Sequence, residues 1–358
     1  VGIGLISYSV YLWHQPLLAF ARHKVLGDVA ELHLITLCIT SLLMGWFSWR
    51  FVEQPFRSRT DFSRNFVFRF SIAGMIIFSL IGISAYFSNG FLNRLSDEGQ
   101  KIVSFETYSM KTYAREGVCF LEPDQSADYF REECLSGENL IWGDSHAAAL
   151  SFGLRFIDDF SQLTASACPP LIGKEFNKRP HCLEINNRVL TKIEKRLFKK
   201  IYLHSNWINY RDLNGLLTTI EKILSINPTI EIKIIGGVPQ WYPSAPKLLL
   251  RQRVTSLNNL SGYMMINDDF IKVKERDNEI INLLSTYKNR DNIDFISLLD
   301  ELCEDGKCIA VVADCNNFEP ISFDYGHLTA AGSKLVARYI VNGVDEVVAD
   351  DFIGLPCM

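Results

Sequence analysis

Apolar and polar positions are laid out differently in the first and last parts of this chain. Val1–Ala21, Leu32–Trp49 and Phe70–Asn93 each run without a Lys, Arg, Asp or Glu. Uncharged, largely apolar stretches of about 18 or more residues are transmembrane candidates, so three spanning helices are predicted within residues 1–95. From Leu140 onward the pattern changes. Short apolar runs at Leu140–Trp142, Leu163–Ala167, Lys200–His204, Ile230–Ile235 and Ile293–Ile296 read as strands. Helical patterns near Ala147–Ile157, Asn186–Leu197, Leu213–Leu224, Lys274–Leu284 and Thr329–Ile340 fall between or after them. Such alternation predicts an α/β fold, a parallel sheet with helices on both faces. Residues 96–138 are polar and irregular, and are expected to be an extracytoplasmic linker between the helices at 1–95 and a domain at 139–358.

Charge and cysteine usage orient this arrangement. Arg50, Arg57, Arg59, Arg64 and Arg69 surround the second loop, against only Arg22 and Lys24 in the first. Positive loops stay in the cytoplasm, which sends everything after Asn93 to the outer side. Val1–Ala21 lacks the basic start and small-residue cleavage site of a signal peptide. No initiator Met is present, so the chain is expected to begin inside a longer protein. Eight of nine cysteines lie beyond residue 100, with Cys119 and Cys134, Cys168 and Cys182, and Cys303 and Cys308 as near neighbours. Cys315 and Cys357 are left over, and Cys38 lies in a span. Disulfides in an oxidising compartment suit this distribution; zinc is the rival, but there is no Cys-x-x-Cys and His181 beside Cys182 stands alone. A net charge of −5 argues against a nucleic-acid partner.

The chemistry concentrates in Asn139-Leu140-Ile141-Trp142-Gly143-Asp144-Ser145-His146, a buried strand running into a Gly-Asp turn and a helix start. A serine there stands beside the free N–H groups of the first helical turn, yet it needs a base to become a nucleophile. The later segment Asp324-Tyr325-Gly326-His327-Leu328-Thr329 offers one. Its spacing lets Asp324 accept from the His327 imidazole, the orienting role of a triad acid, while Thr329 caps the next helix. Taken alone, either segment is as well explained by turn chemistry and packing.

Two resemblances change that balance. Ser7-Tyr8-Ser9-Val10-Tyr11-Leu12-Trp13-His14-Gln15-Pro16-Leu17, followed by Val52-Glu53-Gln54-Pro55-Phe56-Arg57, resembles the tail of the membrane acyltransferase-3 family. That family's donor-handling histidine and arginine lie near its amino end, so Val1–Arg57 inherits no catalytic residue from it. His14 remains open, as an intramembrane functional residue or part of an interfacial aromatic belt with Tyr11 and Trp13. The pair Gly143-Asp144-Ser145-His146 and Asp324-x-x-His327-Leu328 resembles the first and last blocks of the SGNH (GDSL-like) hydrolase superfamily. This implies a flavodoxin-like fold with Ser145 as nucleophile, His327 as base and Asp324 as its partner.

The combination is similar to bacterial enzymes that O-acetylate surface polysaccharides, including O-antigen. It implies an inner-membrane, multi-pass protein with a periplasmic SGNH domain, acetyl-CoA as donor to the membrane module, and no bound cofactor or metal. The implied partners are a surface polysaccharide or its lipid-linked precursor, membrane lipid and the remaining acyltransferase-3 helices. The superfamily's Gly-x-Asn-Asp block matches His204-Ser205-Asn206-Trp207 only at Asn206, a candidate oxyanion donor that is equally a strand-end cap. Trp207 and Trp241 are candidates to stack a sugar ring, with packing the alternative for each. Two further functions stay open: a carbohydrate O-acetyl esterase using the same triad, and a non-catalytic glycan-binding domain.

Overall fold

The computed structural model describes residues 2–24, 30–57, 62–177, 179–196, 198–251, 263–265, 268–305, 307–314 and 317–343. Arg59, Cys315 and Cys357 lie outside the described residues. The chain divides after Gln100 into two compact units.

The first unit is helical. Helix α1 (Gly2–Lys24) packs on α2 (Glu31–Ser48), where a Cβ on Gly45 would come within 2.9 Å of the Val10 backbone. The α2 helix passes through a π turn at Trp49–Glu53 into α3 (Gln54–Arg57), and α4 (Arg64–Phe87) follows, capped by Ser63. The two acyltransferase-like segments meet here: Ser9 Oγ donates to Glu53 Oε2 at 2.9 Å, and Arg57 pairs with Glu53 Oε1 at 2.8 Å. His14 Nδ1–H donates to the Tyr11 carbonyl at 2.7 Å. Among the described residues two helices, Glu31–Arg57 and Arg64–Phe87, are long and apolar enough to cross a membrane. Two of the three expected spans meet that measure. α1 has the length, but Ser7, Ser9, His14, Gln15 and Pro16 dilute its apolar character.

The second unit opens with α5 (Asp97–Ser104) straddling the division, then β1 (Phe120–Leu121), β2 (Asn139–Gly143), α6 (Ser145–Ile157) and β3 (Phe160–Ala165). Next come α7 (Cys182–Lys195), β4 (Lys200–His204), α8 (Asn214–Ile226), β5 (Glu231–Ile235) and α9 (Ala245–Arg251). The chain continues through β6 (Tyr263–Met265), α10 (Asp268–Leu284), β7 (Ile293–Ile296) and α11 (Leu298–Leu302). It ends with β8 (Cys303–Glu304), β9 (Lys307–Ile309), the hairpin β10 (Val311–Asp314) and β11 (Asn317–Pro320), and α12 (Ala330–Asn342).

Six strands form one parallel sheet in the order β1-β3-β2-β4-β5-β7. Their buried, continuous apolar runs suit a sheet covered on both faces. Cores lie on each side, one around Trp142, Leu203 and Ile234, the other around Ile141, Leu150 and Val336. The expected α/β architecture is thus present. Two-residue β1 is too short for a sequence pattern to show, and it adds an edge strand from within residues 96–138. Disulfides join Cys119 to Cys134, Cys168 to Cys182 and Cys303 to Cys308. Register places Gly143, His204, Ile235 and Ile296 level with one another. The loops leaving β2, β4 and β5 therefore share the carboxyl edge of the sheet, where ligands bind in open α/β folds.

Candidate active site

Ser145 opens α6 directly after β2. The turn must be tight, and Gly143 makes it so, because a Cβ there would fall 1.7 Å from the His204 carbonyl oxygen. Asp144 caps the helix, its Oδ1 accepting the His146 N–H at 2.9 Å. Its Oδ2 accepts from Ser205 Oγ (2.6 Å), the Asn206 N–H (3.0 Å) and the Tyr210 hydroxyl (2.9 Å). One buried carboxylate thereby ties the β2 turn to the end of β4.

His327 arrives from the other end of the chain. Helix α12 lies close against α6, where a Cβ on Gly153 would strike the Ser333 carbonyl oxygen at 2.0 Å. Ser333 Oγ accepts from the Gly153 N–H at 2.8 Å and donates to the Leu150 carbonyl at 2.9 Å. Thr329 caps α12 as its position predicted, accepting from the Gly332 N–H at 3.1 Å. With both helices locked, the turn before α12 meets the start of α6. His327 Nε2 stands 2.8 Å from Ser145 Oγ, and His327 Nδ1 stands 2.7 Å from Asp324 Oδ2. The Gly326 and His327 N–H groups donate to Asp324 Oδ1 at 2.9 and 2.8 Å. Burial raises the Asp324 carboxyl, but the imidazole and those N–H groups outweigh it and hold the pKa below its ordinary value. An ionised Asp324 keeps the Nδ1 proton in place, leaving Nε2 free to accept from the serine.

A second hydrogen-bonded chain runs behind this one. Gln240 Nε2 donates to Asn206 Oδ1 at 2.8 Å, and Asn206 Nδ2 donates to the Tyr325 hydroxyl at 3.3 Å. That hydroxyl lies 3.4 Å from His146 Nε2. His146 is enclosed, its ring 4.5 Å from that of His327. Burial, then the neighbouring His327 and His204 rings, lower its pKa well below 6.5, so it adds no positive charge beside His327. Burial likewise lowers His204, against the opposing Asp144 charge and the bond to the Ile235 carbonyl. Burial pushes the Tyr325 hydroxyl up to about 12, the Asn206 bond opposing and the Asp324 and Asp144 charges adding to it.

Ser145 and His327 are thus brought together from positions 182 residues apart, with Asp324 behind the imidazole, and Asn206 stands in the adjoining network. Trp207 and Trp241 are corrected as exposed sugar platforms. Trp207 is 1% exposed, packs in the core and donates Nε1–H to the Ile235 carbonyl at 2.8 Å; Trp241 is 2% exposed among Ile102, Leu248, Leu249 and Phe318. Sequence reasoning missed Tyr325, Tyr210, Ser205 and Gln240. Tyr325 and Ser205 carried a signal, as residues inside the Asp324–His327 turn and the His204–Trp207 segment.

The sequence model that matches residues 116–342 is that of the SGNH domain fused to AT3 domains. The chain belongs to this family. A 58-residue stretch is 38% identical to the O-acetyltransferase OatA of Staphylococcus aureus, strains NCTC 8325 and COL among them, and covers 16% of this chain. The chain spans about a tenth of the length of the curated relatives it matches: the aligned stretch is 10% of OatA. Among solved structures, the periplasmic domain of the Salmonella ser. Paratyphi A lipopolysaccharide acetyltransferase is similar in fold. It is 24% identical with a TM-score of 0.54, over 68% of this chain and 97% of that one. The SGNH domain therefore carries the sheet and every residue of the candidate triad.

Proposed function

We propose that the SGNH domain transfers an acyl group, acetyl, to a hydroxyl of a cell-surface polysaccharide such as O-antigen. The observation that carries this reading is the continuous Asp324–His327–Ser145 chain at 2.7 and 2.8 Å. Ser145 Oγ attacks the carbonyl carbon of the acyl donor while His327 Nε2 takes the hydroxyl proton. The imidazolium returns that proton to the departing group, leaving an acyl-serine. A sugar hydroxyl then attacks the ester, His327 again taking a proton, and Ser145 is regenerated when the proton is returned to it. The Ser145 N–H at the head of α6 and the Asn206 amide are the donors assigned to the tetrahedral oxyanion.

The fusion to AT3 domains supports an acetyl-CoA-using membrane module as the source of the acyl group. Placement of the SGNH domain in the periplasm of a multi-pass inner-membrane protein is supported by the arginine-rich loop and the three disulfides. Its polysaccharide or lipid-linked precursor would be met on that side, beside lipid and the other acyltransferase-3 helices. The test supplies labelled acetyl-CoA and glycan to membranes holding the full-length protein, and follows label into glycan and into free acetate. Label in glycan, lost in Ser145→Ala, is the expected result. Label released as acetate despite abundant glycan marks an esterase, and glycan acetylation retained in Ser145→Ala removes the nucleophile assignment.

A further inference from the structure

Tyr242 follows the buried Trp241 and is itself 76% exposed. No other large apolar or aromatic side chain among the described residues of 101–343 is as exposed. Phe156, at 60%, has the Lys334 ammonium 4.0 Å over its ring, whereas no ring or cation partner covers Tyr242 among the described residues. An aromatic ring left in water is costly to solvation and useful to a ligand with an apolar face.

The backbone ties the loop that carries this ring to the turn that carries the triad's acid and base. On one side of Tyr242 the Trp241 N–H donates to the Tyr325 carbonyl at 2.8 Å; on the other the Ala245 N–H donates to the Asp324 carbonyl at 3.0 Å. Those acceptors belong to the Asp324–His327 turn itself. The Trp241 ring, sunk among Ile102, Leu248 and Leu249, anchors the stalk from below. Across the turn, the half-buried Phe323 ring stacks on His327 at 5.8 Å and 19°. The far side of the loop is held as well: Ser244 Oγ donates to Glu106 Oε1 at 2.9 Å, and Lys247 pairs with Glu106 Oε2 at 2.9 Å. An exposed flat aromatic face matches the chemistry of a pyranose, whose ring C–H face is apolar.

We propose that Tyr242 is the stacking platform of an acceptor-sugar subsite, placing one pyranose of the glycan beside Ser145. The subsite rests on the transferase reading for its ligand, and its test reads binding rather than turnover. Membrane vesicles holding the full-length protein are mixed with O-polysaccharide released from lipopolysaccharide, and saturation-transfer NMR reads the sugar protons. Tyr242→Ala should weaken binding about five- to tenfold, while Tyr242→Phe and Tyr242→Trp keep it within about twofold, because the ring face and not the hydroxyl makes the contact. Tyr242→Leu keeps bulk without a ring and should bind as weakly as the alanine variant. Labelling of Ser145 by a fluorophosphonate reports that each variant retains a formed site. Equal binding by the wild type, Tyr242→Ala and Tyr242→Leu overturns the subsite. A wild type that binds through Tyr242 but whose Ser145 never labels keeps the subsite and overturns the transferase instead.

Discussion

Asp324 and Asp277 both stand at the carboxyl edge of the same sheet, and their surroundings drive them in opposite directions. The turn holding Asp324 aims two backbone N–H groups and an imidazole at its oxygens. At the corner where α10 meets the loop after β5, Asp277 receives the Gly237 N–H on Oδ1 at 3.0 Å, and its Oδ2 is buried without a hydrogen-bond partner among the described residues. Burial pushes Asp277 up to about 7, the Gly237 bond opposing and the Asp300 charge adding to it. Burial alone drives a carboxyl toward neutrality, and only organised donors keep one ionised inside a protein. The comparison separates a carboxylate placed to act on another group from one tolerated by the packing.

Removing the charge of Asp324 should have the largest effect. Asp324→Asn keeps the turn's volume but lets the His327 proton sit on the wrong nitrogen, so acetyl transfer should fall about 10³–10⁴-fold. A loss under tenfold, measured as initial rates in membranes, would make Asp324 a turn brace. Asn206→Ala, in the adjoining network, should cost about 10²-fold in rate with little change in glycan binding. A pure binding defect there would remove the oxyanion role.

The smallest effect is one of stability and comes from the second region. Asp277 has its folded pKa raised, so the folded state holds a proton that the unfolded chain releases, and stability falls as pH rises from about 4 to about 7. Asp277→Asn removes that loss and should stabilise by about 1–3 kcal/mol at pH 8, with no gain at pH 4. Asp324 behaves in the opposite sense. Its folded pKa is depressed, so its contribution is complete above the ordinary value of 3.8 and is lost as the pH falls through the folded value. Thermal unfolding of wild type and Asp277→Asn at the two pH values decides this, and equal shifts at both would show that Asp277 does not titrate as described.

Much of the fold was legible because its cues are local. The runs at Leu140–Trp142, Lys200–His204 and Ile230–Ile235 became strands β2, β4 and β5 within a residue or two, since apolar runs bounded by turns have few other solutions. The candidate triad was also legible, because serine at a strand-to-helix turn and an Asp-x-x-His before a capped helix each carry their geometry in their spacing. Trp207 and Trp241 were not. An aromatic residue past a strand end looks the same in sequence whether its ring turns inward or outward. What turned these two inward was the Ile235 carbonyl offered to Trp207 and the apolar pocket of Ile102, Leu248 and Leu249 around Trp241.

Five of the six strands of the parallel sheet and the helices between them, the apolar helices near the start, and the three residues able to form a nucleophilic site could be read from the sequence. Hydrophobic period, capping and turn chemistry act over a few neighbours and can be read along the chain. Only the tertiary structure decided that α6 and α12 press together through Gly153 and Ser333, bringing Ser145 within reach of His327. It also decided that Asp144 gathers donors from β4, and that Tyr242 rather than Trp241 faces water. Each of these depends on groups far apart in sequence competing for the same space and the same hydrogen bonds, and that competition exists only once the chain has folded.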